Sequence, residues 1–428
     1  MIANGLSKYQ GKNILMLQGP VGPFFRRLSY DLKRAGANVH KVNFNGGDWF
    51  FYPTDCVAFT ESHKEWPEFL EKLIKEKQID SILLFGDCRR MHRVSCRIAE
   101  RLKIEVGVFE EGYVRPDYLT LDMGGVNGHS SLPKDPEFYM NRSKMKVESA
   151  LPVGQTIHLS SLYSVLYYTA CIFLHSFFPK YTHHRPLKFF EALPFIRSFF
   201  RKKLYAFQER HIENELVTQH SKNFFLVPLQ VYNDSQIIVH SNYHSNIHFI
   251  EEVITSFAEN APRETILVIK HHPMDRGHSD YRKLISEIAA KNNLSEDRWR
   301  YIHDQHLPTL LNHARGVVLV NSTVGLQAIH HSAPLKVCGK AIYDIEGLTY
   351  QGTLTNFWYG ATHFTVNREL YERYREYVVT HTQLNGSIYK PLEVKNSVAG
   401  LVWPDQNREE IFAPEPLEIG NASQIKVS

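Results

Sequence analysis

The sequence predicts an α/β protein built from two Rossmann-like domains that face each other across a cleft. Three observations predict it. Apolar runs of strand length alternate with segments whose apolar residues recur at helical spacing; the alternation occurs in two separate blocks; and 428 residues exceed what one hydrophobic core ordinarily serves.

In the first block "NILMLQG" is a short apolar run ending in glycine, followed by helical "PFFRRLSYDLKRAG" and the run "NVHKVNFN". Helix "WPEFLEKLIKEKQ", strand "SILLFGD", helix "HRVSCRIAERLK" and strand "EVGVFEEG" continue it, so residues 12 to about 150 read as one doubly wound unit. The second block starts near "FFLVPLQ". It runs through helix "IHFIEEVITSFAEN", strand "TILVIKHHP", helix "DYRKLISEIAAKN", strand "WRYIHD", helix "LPTLLNHA", strand "GVVLVN" and helix "TVGLQAIHHS". A further helix, "NRELYERYREYVVTH", precedes a tail that is expected to be mostly irregular after about residue 388. The division expected is 1–215 for an N-terminal Rossmann-like domain with a helical insertion at about 151–215, 216–365 for a C-terminal Rossmann-like domain, and 366–428 for the last helix and tail.

The insertion departs from this pattern. "LSSLYSVLYYTACIFLHSFF" falls short of a membrane span, because Ser160, Ser161, Ser164, Thr169 and His175 interrupt it. It reads either as a buried helix or, with Lys180, Arg185, Lys188, Arg197, Arg201, Lys202 and Lys203 set among aromatics behind it, as a segment that meets anionic headgroups.

A net charge of +4 and a pI near 8.6 give no case for nucleic acid and leave room for anionic small substrates. Cys56, Cys88, Cys96, Cys171 and Cys338 form an odd, scattered set without a CxxC pair, which points to reduced thiols and argues against zinc. The opening "MIANGLSKYQGKN" lacks a secretory pattern, so a cytoplasmic protein is expected, peripheral on the inner face of the membrane if the basic aromatic segment docks there.

Ligands of open parallel sheets bind beyond the carboxyl ends of the strands, and three stretches end strands with chemistry. "VIKHHPMD" places Lys270, His271 and His272 just past a strand, with Pro273 holding His272 out of helical conformation. "VLVNSTVGLQAI" places Ser322 and Thr323 at a helix start, where capping accounts for one hydroxyl and anion binding for the pair. "FEEGYVRPDY" places Glu110 and Glu111 at the end of a buried strand, where mutual repulsion suits general base or nucleophilic work unless Arg115 simply neutralises one of them. No Asp-x-Asp occurs, and Asp344 to Glu346 is a weak substitute. A donor with a single phosphate, held without metal, is therefore expected.

A carboxylate pair followed by glycine, then His-Pro, then a Ser/Thr pair, in that order, resembles the motif set of bacterial transferases that use CMP-activated acidic sugars. "GPVGPFFRRLSYDL", "NFNGGDWFFYP", "LLFGDCRRMH", "FEEGYVRPDYLTLD", "GGVNGHSSLP", "VPLQVYNDSQI" and "AIYDIEGLTYQG" resemble the capsule polysaccharide biosynthesis family, in particular its KpsS-type β-Kdo transferases. The likeness covers most of residues 12 to 360 and little of 150 to 215. It implies a GT-B glycosyltransferase that moves Kdo from CMP-β-Kdo, with retention, to a phosphatidylglycerol-type lipid (lyso forms included) at the cytoplasmic membrane surface, alongside other capsule assembly and export proteins and without a cofactor. Carried over, Glu111 and Glu110 are the catalytic carboxylates, Glu111 foremost. His272 serves the leaving phosphate with Lys270, Pro273, Ser322 and Thr323. Arg115, Gly19, Asn45, Asp48, Gln230 and Asp234 face donor sugar or acceptor, Arg115 or Lys270 balancing the sugar carboxylate. Relatives carry Asp where this chain has Glu111. The same site also fits another CMP-activated sugar, and a non-catalytic export or scaffold component is the reading from outside the enzymes.

Overall fold

The computed structural model describes residue 2 and residues 5–182, 192–404 and 406; Arg185 and Lys188 of the basic segment lie outside the described residues. The first unit contains β1 (Asn13–Met16), α1 (Phe24–Arg34), β2 (Asn38–Asn43), α2 (Gly46–Phe51), β3 (Val57–Ala58), α3 (Trp66–Lys77), β4 (Ser81–Phe85), α4 (Arg90–Leu102), β5 (Glu105–Glu111), β6 (Tyr118–Met123) and α5 (Pro136–Met140). Three helices follow, α6 (Ile157–Phe173), α7 (Ala192–Gln208) and α8 (Ile212–Thr218). The second unit contains β7 (Phe224–Pro228), α9 (Ser235–His240), α10 (Asn246–Asn260), β8 (Ile266–Lys270), α11 (Arg282–Lys291), β9 (Trp299–Ile302), α12 (Leu307–His313), β10 (Gly316–Leu319), α13 (Val324–His330), β11 (Leu335–Val337) and α14 (Leu354–Gly360). The chain closes with α15 (Arg368–Thr382) and β12 (Gln383–Asn385).

The second sheet is wholly parallel, in the order β11-β10-β7-β8-β9. Its strands "FFLVP", "ILVIK" and "GVVL" are buried along their whole length, as expected of a parallel sheet covered on both faces by helices. The first sheet has the order β12-β6-β5-β4-β1-β2-β3 and is parallel except at one edge, where β6 runs back against β5 and β12 runs against β6. These are two doubly wound Rossmann-like units, the fold class predicted. Both sheets turn the carboxyl ends of their central strands toward the cleft, where Cys88 Sγ of one unit lies 3.5 Å from His240 Nε2 of the other.

After α15 the chain returns to the first unit. β12 pairs with β6, residue 385 to residue 118, and the tail is pinned by the buried Asp31 carboxylate, which accepts from Ser397 Oγ and from the amides of Val398 and Ala399. Apart from a bridge between Asn385 and Val402 the described tail is irregular, and this anchoring is what delivers Tyr389 to the end of β5.

α6 docks on α2 through glycine. A Cβ on Gly46 would lie 2.5 Å from the Ala170 carbonyl oxygen, and one on Gly47 would lie 2.6 Å from the Tyr167 ring, so only "GG" lets the helices approach this closely. Tyr167 then reaches through: its hydroxyl donates to Asp48 at 2.9 Å and accepts from Asn45 Nδ2 at 2.9 Å.

Candidate functional site

The site grows from the end of β5. Side chains alternate across a strand, so Glu110 and Glu111 leave on opposite faces of the sheet. Glu110 Oε1 accepts the Glu111 amide at 3.1 Å. Burial, with repulsion from Glu111 and from Asp234 of the second unit, lifts the Glu110 carboxyl to about 7 although Arg89 pulls the other way. Glu111 accepts the Tyr389 hydroxyl at 3.2 Å instead. The sequence reading put Glu111 foremost; the geometry shifts that weight to Glu110, whose carboxyl feels the opposite unit and can exchange a proton near neutral pH.

Opposite lies His272, at the end of β8. It caps a short turn, its Nδ1 accepting the Met274 amide at 3.2 Å. Burial, Lys270 and the facing Arg115 lower its pKa to about 4, so the ring is neutral at physiological pH and its proton sits on Nε2. That leaves one N–H donor for a ligand oxygen and no positive charge. Arg115 is exposed; its Nε donates to the Gly112 carbonyl, which holds the side chain at the loop.

Ser322 and Thr323 follow β10. Ser322 Oγ accepts the Val324 amide at 3.3 Å, while Thr323, the residue before α13, makes no capping bond with its side chain. Capping thus uses Ser322, and Thr323 lines the interdomain cleft with Gln327 and His330 on one wall, Arg115 on another and Arg375 on a third. The cleft encloses about 730 Å³, open mouth included. Arg115 and Arg375 beside it favour an anionic ligand.

Other expected residues serve the frame. Lys270 is buried, and its ammonium donates to the His303 carbonyl at 2.7 Å; it does not reach into the cleft as the sequence reading had it. Asn45 and Asp48 are consumed by the α2–α6 junction: Asn45 caps α2, and Asp48 also accepts from Gln18 and from the Phe44 amide. Both are buried, and Asp48 lines a small cavity of the first unit together with Gly19, Lys41 and Tyr167. Gly19 offers its carbonyl to Arg89, and a Cβ there would lie 2.8 Å from the Phe25 ring, so its role is close packing. Gln230 is buried and ties the ends of β7 and β10 together through Asp234 at 2.9 Å and Asn321 at 3.0 Å. Asp234 caps α9 and remains close enough to Glu110 to raise its pKa. Pro273 is exposed in the turn after His272.

Sequence reasoning missed Arg89, Tyr389, Gln327, His330 and Arg375. Arg89 follows the end of β4 and Gln327 falls inside the stretch that carries Ser322 and Thr323, while Tyr389 arrives from 278 residues away. The basic segment also differs from expectation. Arg197 donates to the carbonyls of Gly277 and His278, and Arg201 to those of Arg276 and Ser279, so both fasten α7 to the second unit rather than face a membrane. No described helix is long and apolar enough to cross a membrane.

Against known proteins, the chain is 42% identical over 390 residues to the capsule polysaccharide export protein KpsS of Escherichia coli, covering 89% of this chain and 97% of that one. It is 38% identical over 393 residues to the capsule polysaccharide modification protein LipB of Neisseria meningitidis serogroup B, covering 90% and 93%. Among solved structures it is similar to Thermosulfurimonas dismutans KpsC, beta Kdo 2,7 transferase, at 15% identity and a TM-score of 0.40 over 94% of this chain and 98% of that one. The family described as capsule polysaccharide biosynthesis protein matches residues 80–389, which hold both halves of the cleft. The chain belongs to the capsule polysaccharide biosynthesis family.

Proposed function

We propose that this protein is a glycosyltransferase that moves Kdo from CMP-β-Kdo to a phosphatidylglycerol-type lipid, with retention, as a first step in building a capsular linker. The observation that carries the reading is that Glu110, lifted to about 7 in part by Asp234 of the second unit, and a neutral His272, lowered in part by Arg115 of the first, each feel the opposite unit, beside a cleft lined by Arg115 and Thr323. The leaving group is a phosphate monoester. His272 and Thr323 donate to its oxygens, Arg115 and Arg375 offset charge on the phosphate and the sugar carboxylate, and no metal is placed at the phosphate.

In a retaining route the Glu110 carboxylate attacks the anomeric carbon as the bond to the CMP oxygen breaks. The acceptor hydroxyl then displaces Glu110, its proton passing to solvent or to the departing phosphate. The ionised form of Glu110 is the reactive one. Tyr389 holds Glu111 on the other face of the strand, away from the reacting carbon.

The acceptor half of the reading rests on α7, which is amphipathic in the inverse sense. Arg197, Arg201 and Tyr205 face the second unit, while Phe200, Leu204 and Phe207 at i, i+4 and i+7 are exposed next to Lys202 and Lys203. An apolar helical face turned to solvent and flanked by lysines fits an anionic bilayer surface. On this reading the protein works on the cytoplasmic face, beside other capsule proteins.

The test is release of CMP when the purified protein meets CMP-Kdo and a short-chain phosphatidylglycerol. Release that requires the acceptor supports the reading. No release under any acceptor condition favours the second reading, a non-catalytic export component, in keeping with the Escherichia coli relative's being an export protein.

A further inference from the structure

Behind Glu110, between the two units, three potential metal ligands converge in a place the transfer chemistry does not use. Asp87 and Cys88 follow β4 in the first unit, and His240 ends α9 in the second; all three are buried. One ligand atom from each lies within 4.8 Å of the others. Cys88 Sγ is 3.5 Å from His240 Nε2 and 3.3 Å from Asp87 Oδ1. In a tetrahedral zinc site a sulfur and a nitrogen or oxygen ligand stand about 3.6 Å apart, from bond lengths of about 2.3 and 2.1 Å.

We propose that Asp87, Cys88 and His240 bind one zinc ion that bridges the two units. Zinc is the metal this donor set selects, because thiolate and imidazole disfavour magnesium and calcium, and a carboxylate with a thiolate neutralises the charge of the ion. That neutrality matters in a buried place. Binding replaces the thiol proton of Cys88 with a sulfur–zinc bond and releases the proton to solvent.

The surroundings are those of an oriented site. Asp87 Oδ2 accepts the Val126 amide at 3.1 Å and is 3.0 Å from His129 Nδ1, which leaves Oδ1 turned to the cluster. The His129 ring packs edge-on against His240 at 4.4 Å. Gly128 admits the imidazole, since a Cβ there would lie 2.4 Å from His240 Nδ1. Partners that fix ligating groups in this way typically change metal affinity 10- to 100-fold. The fourth position is left to water. Because the ligands come from both units, the ion would hold the cleft at the separation at which Asp234 faces Glu110.

No local motif marks this cluster, because 152 residues separate Cys88 from His240 and no CxxC exists. The test uses the full chain, purified without chelator, with zinc measured by elemental mass spectrometry and the metal-free protein titrated with cobalt(II). One equivalent of zinc, and a thiolate-to-cobalt charge-transfer band that Cys88→Ser abolishes and His240→Ala weakens at least about tenfold, are expected. Absence of zinc together with absence of the band in the wild-type protein overturns the site, as does a band that persists in Cys88→Ser. If either variant fails to fold, the wild-type band and zinc content decide. None of these readouts depends on transferase activity, so the site and the proposed reaction stand or fall separately.

Discussion

Tyr389 donates its hydroxyl to Glu111 at 3.2 Å, while Glu110, the next residue back along the same strand, keeps its carboxyl toward the opposite unit. Two adjacent carboxylates therefore have different work. We predict that Glu110→Gln lowers turnover by about 10³-fold or more, because an amide supplies neither a nucleophile nor a base. Glu111→Gln should cost about tenfold, and Tyr389→Phe a similar amount. Turnover by each variant decides this, with thermal melting to show that the fold is kept. Loss confined to Glu111→Gln would restore that residue as the reacting one.

The second prediction concerns pH. With a Glu110 pKa near 7 and the ionised form reactive, kcat/KM should rise with pH and level off above about 7, and the limb should vanish in the residual activity of Glu110→Gln. Stability runs the other way. The folded state binds the Glu110 proton more tightly than the unfolded chain, so this contribution is complete below about 4.5 and is lost as pH rises through about 7, at most about 3 kcal/mol. Denaturant melts of wild type and Glu110→Gln at several pH values check the sign, and a wild type more stable at pH 8 than at pH 5 relative to the variant would contradict it.

The neutral His272 gives a third prediction. His272→Ala removes one hydrogen-bond donor to the phosphate, and Thr323→Ala another, so each should weaken CMP binding about 5- to 20-fold in calorimetric titration. Lys270→Met should act mainly on stability, since its ammonium is spent on the His303 carbonyl. CMP affinity unchanged in both His272→Ala and Thr323→Ala would remove the phosphate from this cleft.

The inverse amphipathicity of α7 predicts a separation of effects. Replacing Phe200 and Phe207 by Ser, or Lys202 and Lys203 by Gln, should reduce binding to anionic vesicles without lowering the melting temperature; each lysine contributes about 1 kcal/mol, weakened by salt. Arg201→Ala should instead lower the melting temperature, because it loses contacts to the carbonyls of Arg276 and Ser279. Vesicle sedimentation beside calorimetry tests both, and vesicle binding untouched by the Phe and Lys changes would detach α7 from the membrane.

Gly47→Ala should destabilise the first unit by about 1–3 kcal/mol, as its methyl group would meet the Tyr167 ring. Urea unfolding measures this. A neutral result would show that α6 moves off α2 at little cost.

The alternation of strands and helices was legible because each strand is a short apolar run closed by Gly, Asp or Pro, and each long helix repeats its apolar residues every three or four positions. The edge of the first sheet was not legible. β6 starts two residues after Pro116 and has no element in the sequence reading, and β12 is three residues long, its place fixed by β6 and by Asp117, whose carbonyl accepts from Asn385 Nδ2. The strand-end motifs singled out Glu110, His272 and Thr323, and the structure sets them at the end of β5, just past β8 and before α13. At Asn45, Asp48 and Lys270 a polar residue past a strand also caps a helix, accepts a backbone amide or binds a carbonyl. Nothing in the local sequence distinguishes those uses. The partners Tyr167 and His303 lie 122 and 33 residues away.

The central claim is transfer of the sugar itself. Mass spectrometry of a short-chain phosphatidylglycerol after incubation with CMP-Kdo and the wild-type protein tests it most directly. The expected product is an acceptor heavier by one Kdo residue, β-linked by NMR, formed by wild type and lost in Glu110→Gln. An acceptor that keeps its original mass, from folded protein that binds CMP, would contradict it.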